Sequence, residues 1–148
     1  DGVDFRWVHP GDVRYQRDND SSCVLRVSAG GHAALVTGDI EAEAERDMAR
    51  EGALAAVDIV VVPHHGSRTS STQDFVTASR PRWAVYAVGY RNRWNFPVQR
   101  VVERWEQAGA RGVRTSDGGA ITFELVPGRA LAPPFEWRRE HLRPWRDP

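Results

Sequence analysis

The chain has 148 residues, of which 41% are hydrophobic and 27% are charged, enough for one domain with its own core but too few for two. Its 20 basic and 20 acidic residues give a formal net charge of zero, so the overall charge does not indicate a nucleic-acid partner. Its one cysteine excludes an internal disulfide, and no apolar run is long enough to cross a membrane.

The first part of the chain predicts three strands. Residues 3–8 alternate crudely between apolar and polar and predict a strand, and a polar loop follows. Residues 23–27 and 32–37 are two β-rich runs separated by Gly30-Gly31, a pattern that predicts a hairpin. Cys23 stands in the first of these runs, so we expect a buried thiol.

A helix and a buried strand are predicted next. Ile40, Ala44 and Met48 recur every four residues, which places them on one face of a helix. Asp39 stands directly before this helix and suits its N-cap position. Residues 57–62 form a short continuous apolar run, which is typical of a strand buried on both faces.

Two further helices are predicted. One covers residues 70–79, with Phe75 and Val76 facing inwards. The other has Pro97 in its first turn and Gly109 just beyond its end. Its inward face is predicted by the i, i+3, i+4, i+7 spacing of Val98, Val101, Val102 and Trp105.

Strands are also predicted at residues 83–88, 113–115 and 120–126. The alternation of strands and helices predicts an α/β domain over residues 1–126. Residues 127–148 are rich in Pro, Arg and Trp without a clear period, and we interpret them as a tail or a surface wrap.

Two polar features follow predicted strands, where α/β folds place their functional sites. Asp39 can bind a metal or cap the following helix, and the two roles are compatible. His64 and His65 follow the buried strand. Neighbouring side chains point in opposite directions in an extended chain, so one histidine can face a metal while the other exchanges a proton. The alternative is a pair of solvated loop histidines.

Two other segments can contact phosphate or nucleic acid. Ser67 and Arg68 begin a Ser/Thr-rich cluster that can hold a phosphate or simply cap the following helix. Residues 90–96 interleave Arg91 and Arg93 with three aromatic side chains. That combination can hold single-stranded nucleic acid or serve only as a lid over the core.

Five short motifs follow one another in a distinctive order. They are Asn19-Asp20-Ser21-Ser22-Cys23-Val24-Leu25, Leu35-Val36-Thr37-Gly38-Asp39-Ile40-Glu41, Val62-Pro63-His64-His65-Gly66-Ser67, Val88-Gly89-Tyr90-Arg91-Asn92-Arg93, and Arg114-Thr115 before Asp117-Gly118-Gly119-Ala120-Ile121. The series resembles the C-terminal metallo-β-lactamase-like domain of the ComEC/Rec2 competence proteins, which are inner-membrane DNA-uptake channels.

The resemblance implies the C-terminal half of a metallo-β-lactamase αββα sandwich, with two divalent ions, Zn²⁺ or Mn²⁺, in the complete domain. It implies that Asp39 bridges the ions, that His65 is a ligand and that His64 is a proton donor. The family's first metal motif, of the His-x-Asp-x-Asp-His kind, does not occur in this sequence. We therefore expect the chain alone to be inactive and to bind metal weakly or not at all. Many members have a histidine near the position of Phe96, and its role would be missing here.

The resemblance also implies a function. The family's proposed activity is a nuclease that degrades the non-transforming DNA strand during natural competence, and Ser67, Arg68, Arg91 and Arg93 would hold the backbone of a DNA strand. One alternative is a non-catalytic DNA-binding module with a degenerate metal site, which Phe96 favours. Another is a different hydrolase of the same fold that acts on small or lipid-linked phosphodiesters.

The resemblance further implies a soluble domain attached to the rest of a bacterial inner-membrane channel, on its periplasmic side. The chain begins at Asp1 without a Met, so we expect a fragment of a longer protein. Half of a sandwich exposes one face of its sheet, with valines and Trp83 on it. We expect the chain to self-associate through that face, or its tail, with Trp137 and Trp145, to fold over it.

Overall fold

The computed structural model describes residues 2–11 and 14–141, and its centre is a six-stranded mixed sheet with three helices packed on one face. The strands lie in the sheet in chain order. The first three pair with each other antiparallel, and the third to the sixth run parallel. They are β1 (Val3–His9), β2 (Val24–Ala29), β3 (His32–Val36), β4 (Ile59–Val61), β5 (Trp83–Tyr86) and β6 (Arg111–Arg114).

Helices connect the parallel strands, as the sequence predicts. They are α1 (Ala42–Arg50), α2 (Gln73–Ser79) and α3 (Gln99–Gln107), and a shorter α4 (Thr115–Gly118) follows β6. The chain then forms β7 (Ile121–Thr122), β8 (Phe135–Glu136) and α5 (Trp137–Glu140). This mixed sheet with helices on one side is consistent with half of an αββα sandwich, so the predicted α/β class is confirmed.

The main core lies between the three helices and one face of the sheet. The predicted helical faces are confirmed, since Ala44, Met48, Val101 and Trp105 are all fully buried or nearly so. They pack against strand residues of one parity, including Val24, Leu35, Val60, Ala84 and Tyr86. This core fixes the carboxyl ends of the parallel strands relative to each other.

The opposite face of the sheet is covered over β4 to β6 but open over β1 and β2. Over β4 to β6, Leu131 is buried together with Trp83 and Val85, and Phe123 packs on the Trp83 ring with centroids 5.9 Å apart. The prediction that Trp83 is exposed is therefore wrong. Over β1 and β2 the same face is open, and its exposed apolar side chains are Val3, Phe5, Trp7 and, from β3, Val36.

The segment after β6 differs from its prediction. Only Ile121–Thr122 is a strand, and it pairs with Phe135–Glu136 in a separate two-stranded sheet. Phe123 and Leu125 instead pack on the face of the main sheet. Within the tail, Leu131 contributes to the core, whereas Trp137 is half exposed and stacks on His141 at 3.8 Å. Trp145 lies outside the described residues.

Cys23 is exposed, so the prediction of a buried thiol is wrong. It lies just before β2 and has the parity of Leu25 and Val27, which pair with Trp7 and Phe5 across the open face. Over the described parts of the chain, no helix has the combination of length and apolar character that a membrane span requires.

Candidate metal centre

The carboxyl ends of β3, β4 and β5 meet at one edge of the sheet and enclose a cavity of about 450 Å³. Because these strands are parallel, the loops that follow them lie side by side. The lining residues come from the loop after each strand and from the segment before α3: Asp39, His64, His65, Ala87, Val88, Gly89, Asn92, Trp94 and Phe96. The structure thus brings Asp39 and both candidate histidines together.

The two histidines lie in a tight turn and not in an extended chain. His64 has φ 46° and ψ 43°, and His65 has φ 56° and ψ 15°, both in the left-handed region. The expectation that their side chains point in opposite directions is therefore wrong. Both rings line the same cavity, with centroids 6.3 Å apart. Gly66 follows with φ 82°, and a Cβ there would lie 2.6 Å from Cβ of Pro97.

The His65 ring is held so that one nitrogen faces Asp39. Its Nδ1 lies 2.8 Å from the carbonyl oxygen of Ala87. A carbonyl oxygen only accepts hydrogen bonds, so Nδ1 carries a proton, and in the neutral ring Nε2 carries a lone pair. Nε2 lies 3.5 Å from Oδ1 of Asp39. That separation is longer than a strong N–H···O bond.

His64 lies next to a residue, Glu41, for which the sequence predicts no role in the site. Its Nδ1 lies 3.1 Å from Oε1 of Glu41 and 3.5 Å from Oγ1 of Thr69. Burial acts to raise the pKa of the Glu41 carboxyl, but hydrogen bonds from Arg17, Asn19 and Thr69 and the nearby His64 outweigh it, so the pKa is lowered. Glu41 is therefore a carboxylate at neutral pH. The only signal in the sequence was its position two residues after Asp39.

Asp39 does not cap α1, so that prediction is wrong. The helix begins at Ala42 with Glu41 in the N-cap position, and the Glu41 side chain makes no capping hydrogen bond. The buried Asp20 takes this role, since its Oδ1 accepts from the backbone N–H groups of Glu41 (2.8 Å) and Ala44 (3.2 Å). Asp39 is left half exposed at the cavity.

Ser67 and Arg68 do not line the cavity. Ser67 is buried, and its hydroxyl lies 3.1 Å from that of Thr69. A direct contact between Ser67 and DNA would therefore require this loop to open. Arg68 is exposed.

The loop after β5 places arginines and aromatic rings beside the cavity. The Arg93 guanidinium lies 4.3 Å from the centroid of the Trp94 ring, and that of Arg91 lies 5.1 Å from Tyr90. Asn92 closes the loop, since its amide group exchanges two hydrogen bonds with the backbone of Phe96. Trp94 is 60% exposed, so the loop offers an aromatic surface at the mouth of the cavity. Phe96 lies within 6.5 Å of both histidine rings, measured between centroids.

The residues present fit part of a metal site. Two ligands about 2.1 Å from a tetrahedral ion lie about 3.4 Å apart, close to the 3.5 Å between Asp39 Oδ1 and His65 Nε2. Imidazole and carboxylate are ligands that suit Zn²⁺ and Mn²⁺. Within residues 2–11 and 14–141, however, no group of three or more His, Cys, Asp or Glu side chains is arranged to hold an ion. The described part of the chain therefore offers two donors and not a full shell.

Comparison with known proteins finds relatives among competence and recombination proteins. The chain is 40% identical to competence protein ComA of Neisseria gonorrhoeae over 133 residues, and 32% identical to recombination protein 2 of Haemophilus influenzae over 144 residues. It is 31% identical to ComE operon protein 3 of Bacillus subtilis over 121 residues. These matches cover 89%, 97% and 80% of this chain but 19%, 18% and 16% of the respective relatives. The chain thus spans less than a fifth of their length. No protein-family model matches it.

Proposed function

We propose that this chain, which belongs to the ComEC/Rec2 competence proteins, forms part of a metal-dependent phosphodiesterase domain that cleaves DNA during uptake. The relatives support a competence-related role, and the cavity at the carboxyl ends of β3 to β5 supports the chemistry. The substrate would be the non-transforming strand. The domain would be attached to a channel in the bacterial inner membrane, on its periplasmic side.

The convergence of Asp39 and His65 carries this proposal. With Nδ1 bonded to the Ala87 carbonyl, the neutral His65 directs a lone pair towards a carboxylate oxygen 3.5 Å away. Two acceptors that face each other repel unless a cation lies between them or His65 takes a second proton. A shared divalent ion satisfies both groups.

Asp39 and His65 would hold the metal, and Asp39 would bridge two ions in the complete centre. The remaining ligands would come from parts of the parent protein that this chain does not include. When bound, a divalent metal pair supplies an activated water and stabilises the negative charge that develops at the phosphodiester. The protein's own contribution is to fix the donors and to shape the cavity around the reacting phosphate.

His64 would donate a proton to the leaving oxygen. Its ring lines the cavity beside His65, and its Nδ1 lies 3.1 Å from the Glu41 carboxylate, which makes it a candidate for proton transfer. Phe96 lies close to both rings and supplies no ionisable group. Proton transfer by this chain would therefore depend on His64.

Arg91 and Arg93, with Arg68 further away, would hold the phosphates of a DNA strand. Arginine forms bidentate bonds with phosphate oxygens, and exposed aromatic rings stack on unpaired bases. The pairing of Arg93 with the exposed Trp94 at the cavity mouth fits this division of roles. It favours a single strand over a duplex, whose bases are stacked on each other.

The proposal is tested by DNA cleavage with the parent protein in the presence of Mn²⁺ or Zn²⁺. We expect Asp39→Ala and His65→Ala to abolish cleavage, whereas Asp74→Ala and His141→Ala, which change the same residue types at exposed positions away from the cavity, should not. The 148-residue chain alone should not cleave, because the donors among its described residues do not complete a metal site. A parent protein that cleaves no DNA with any metal tried would contradict the proposal.

The same variants distinguish a DNA-binding module, which the incomplete donor set and Phe96 favour. If the parent protein binds DNA without cleaving it, and Asp39→Ala and His65→Ala leave both the affinity and its salt dependence unchanged, the domain binds DNA and does not hydrolyse it.

A further inference from the structure

We propose that Thr115 is a positioning residue for the candidate metal centre. Its hydroxyl fixes the peptide that carries the Ala87 carbonyl, and that carbonyl directs the His65 ring towards Asp39. Thr115 is not among the residues that line the cavity, so it would act only through the backbone. The inference rests on the proposed function for the metal, whereas the contacts themselves need none.

The Ala87 carbonyl lies just beyond the regular pairing of the sheet. The ladder between β5 and β6 ends at Tyr86 and Arg114. The carbonyl of the next residue, Ala87, accepts a hydrogen bond from Nδ1 of His65 at 2.8 Å. Beyond the end of a ladder, a carbonyl keeps its direction only if some other group holds its peptide.

The Thr115 hydroxyl holds this peptide from its other end. The peptide between Ala87 and Val88 is trans, so its C=O and N–H point in opposite directions. The N–H of Val88 donates to Oγ1 of Thr115 at 2.8 Å, while the C=O of Ala87 accepts from His65. Rotation of this peptide would therefore break both hydrogen bonds together.

Further bonds of the same hydroxyl restrain the flanking residue. Thr115 Oγ1 donates to the Val88 carbonyl at 2.7 Å, and a hydroxyl can donate and accept at the same time. The N–H of Val88 also lies 3.0 Å from the Tyr86 carbonyl, which closes a three-residue turn around Ala87. That turn does not use the Ala87 carbonyl, which is left to accept from His65.

Thr115 is itself placed by the sheet. It follows β6 directly and is the first residue of α4, and its carbonyl accepts from the backbone N–H of Gly119 at 3.1 Å. On β6, Val113 is buried against the covered face of the sheet. The hydroxyl therefore belongs to a fixed element, as a group that orients another must.

The direction of the His65 ring matters because a metal site tolerates little error. Nε2 of His65 lies 3.5 Å from Oδ1 of Asp39, beyond a strong hydrogen bond, so Asp39 does not hold the ring in place. Ligands must be held within about 0.5 Å of their productive positions. Loss of a partner that orients a metal-binding histidine typically costs about 10–100-fold in metal affinity.

The first test is the order of the His65 ring in the metal-free 148-residue chain, measured by ¹³C relaxation of its ring carbons. Thr115→Val keeps the shape of the side chain but removes the hydroxyl. The His65 ring should then lose order, while the neighbouring His64 ring should not. Thr115→Ser keeps the hydroxyl and should restore the wild-type order. A His65 ring equally ordered in the wild type and in folded Thr115→Val would overturn the inference.

Ser79→Ala is the matched control. Ser79 is fully buried on α2, and its Oγ donates to the Phe75 carbonyl at 2.8 Å, so the variant loses a comparable hydrogen bond away from the loop after β5. Its His65 ring should stay ordered, and an equal loss of order there would contradict a specific role of Thr115. If Thr115→Val does not fold, an ordered ring in both the wild type and Thr115→Ser supports the inference, and a mobile ring in either overturns it.

The second test is the Zn²⁺ affinity of the parent protein, measured by isothermal titration calorimetry. Thr115→Val should weaken binding about 10–100-fold, whereas Thr115→Ser and Ser79→Ala should bind as the wild type does. Unchanged affinity in Thr115→Val would contradict the positioning role. If the parent protein binds neither Zn²⁺ nor Mn²⁺, the metal-dependent function fails, and the order of the His65 ring alone decides the role of Thr115.

Discussion

At the scale of the residue, the conformation of the histidine turn is the most informative feature. Two consecutive non-glycine residues in the left-handed region cost on the order of 1–3 kcal/mol each, and such conformations persist only where the surroundings enforce them. Here the enforcing contacts are backbone bonds from His64 to the Gly38 carbonyl (3.1 Å) and from Val98 to the Gly66 carbonyl (2.9 Å). Strain of this kind is concentrated at functional sites.

Gly66 offers a direct test of how strongly this turn is enforced. Its φ of 82° disfavours any side chain, and a Cβ would lie 2.6 Å from Pro97. Gly66→Ala should therefore lower the free energy of unfolding by about 1–2 kcal/mol for the backbone and about 1–3 kcal/mol more for the overlap. Urea denaturation measures the change.

Gly52→Ala is the control for this substitution. Gly52 has a similar φ of 66°, but a Cβ there meets nothing within 4 Å. Gly52→Ala should therefore lower the free energy of unfolding only by the amount that the backbone conformation costs. Equal losses for the two variants would mean that the contact with Pro97 does not constrain the turn.

Single residues also show where prediction from sequence stops. Asp39 and the histidine pair were found because they follow strands, and the structure brings them together. Glu41 was not found, because its partner His64 is 23 residues away and only folding reveals the contact. Cys23 was predicted wrongly because alternation shows that a strand has two faces, but not which face is covered. Asp39 was predicted as a cap because it directly precedes the helix. The residue that takes this role, Asp20, is remote in sequence from the helix and was therefore missed.

At the scale of the element, a buried carboxylate links α1 to the start of α2. Glu45 is fully buried, and its two oxygens accept from the backbone N–H groups of Ser71 (2.5 Å) and Thr72 (2.6 Å). Arg104 of α3 donates to the carbonyl of Ser71. The sequence predicted that α2 begins at residue 70, but it begins at Gln73. These bonds explain the later start.

Glu45→Ala should destabilise the fold at neutral pH. It leaves two backbone donors without acceptors, at about 1–3 kcal/mol for each one that stays unsatisfied. The exposed Glu43 on the same helix provides the control, and Glu43→Ala should change the free energy of unfolding by less than about 0.5 kcal/mol. Similar effects of the two substitutions would show that the link does not stabilise the helix packing.

The same residue gives a pH dependence with a definite sign. Burial raises the pKa of Glu45, although hydrogen bonds from Thr72 and Ser71 and the charge of Arg104 oppose it. The folded state then keeps a proton at pH values where the unfolded chain, with a pKa of about 4.3, has lost it. The free energy of unfolding should therefore decrease as pH rises from about 4.3 through the raised pKa. This component should be absent in Glu45→Ala, and an increase attributable to Glu45 would contradict the assignment.

Helix faces were easier to predict than helix ends. The spacing of Val101, Val102 and Trp105 identified the buried face of α3, because periodicity reflects burial directly. The predicted start of that helix was wrong, because the helix begins at Gln99 and does not include Pro97. The backbone N–H of Val98 is bonded to Gly66, so a distant turn sets the boundary.

At the scale of the whole molecule, the sheet has one covered and one partly open face. On the open part, Phe5 and Trp7 are 66% and 65% exposed. This is the face that meets a second sheet in an αββα sandwich. A contiguous apolar patch of this kind favours association.

We predict that the 148-residue chain self-associates through this face. Replacing both Phe5 and Trp7 by Ser should shift it towards the monomer, as measured by sedimentation velocity over a range of concentrations. Trp137→Ser removes a half-exposed aromatic side chain elsewhere and should leave the distribution unchanged. A wild-type chain that stays monomeric at every concentration would contradict the prediction.

A metal ion shared by Asp39 and His65 would be located by anomalous X-ray diffraction from crystals of the parent protein grown with Zn²⁺ or Mn²⁺. We expect a peak at the metal's absorption edge about 2.0–2.2 Å from both a carboxylate oxygen of Asp39 and Nε2 of His65. A crystal in which no peak lies between them, and His65 instead donates a hydrogen bond directly to Asp39, would contradict it.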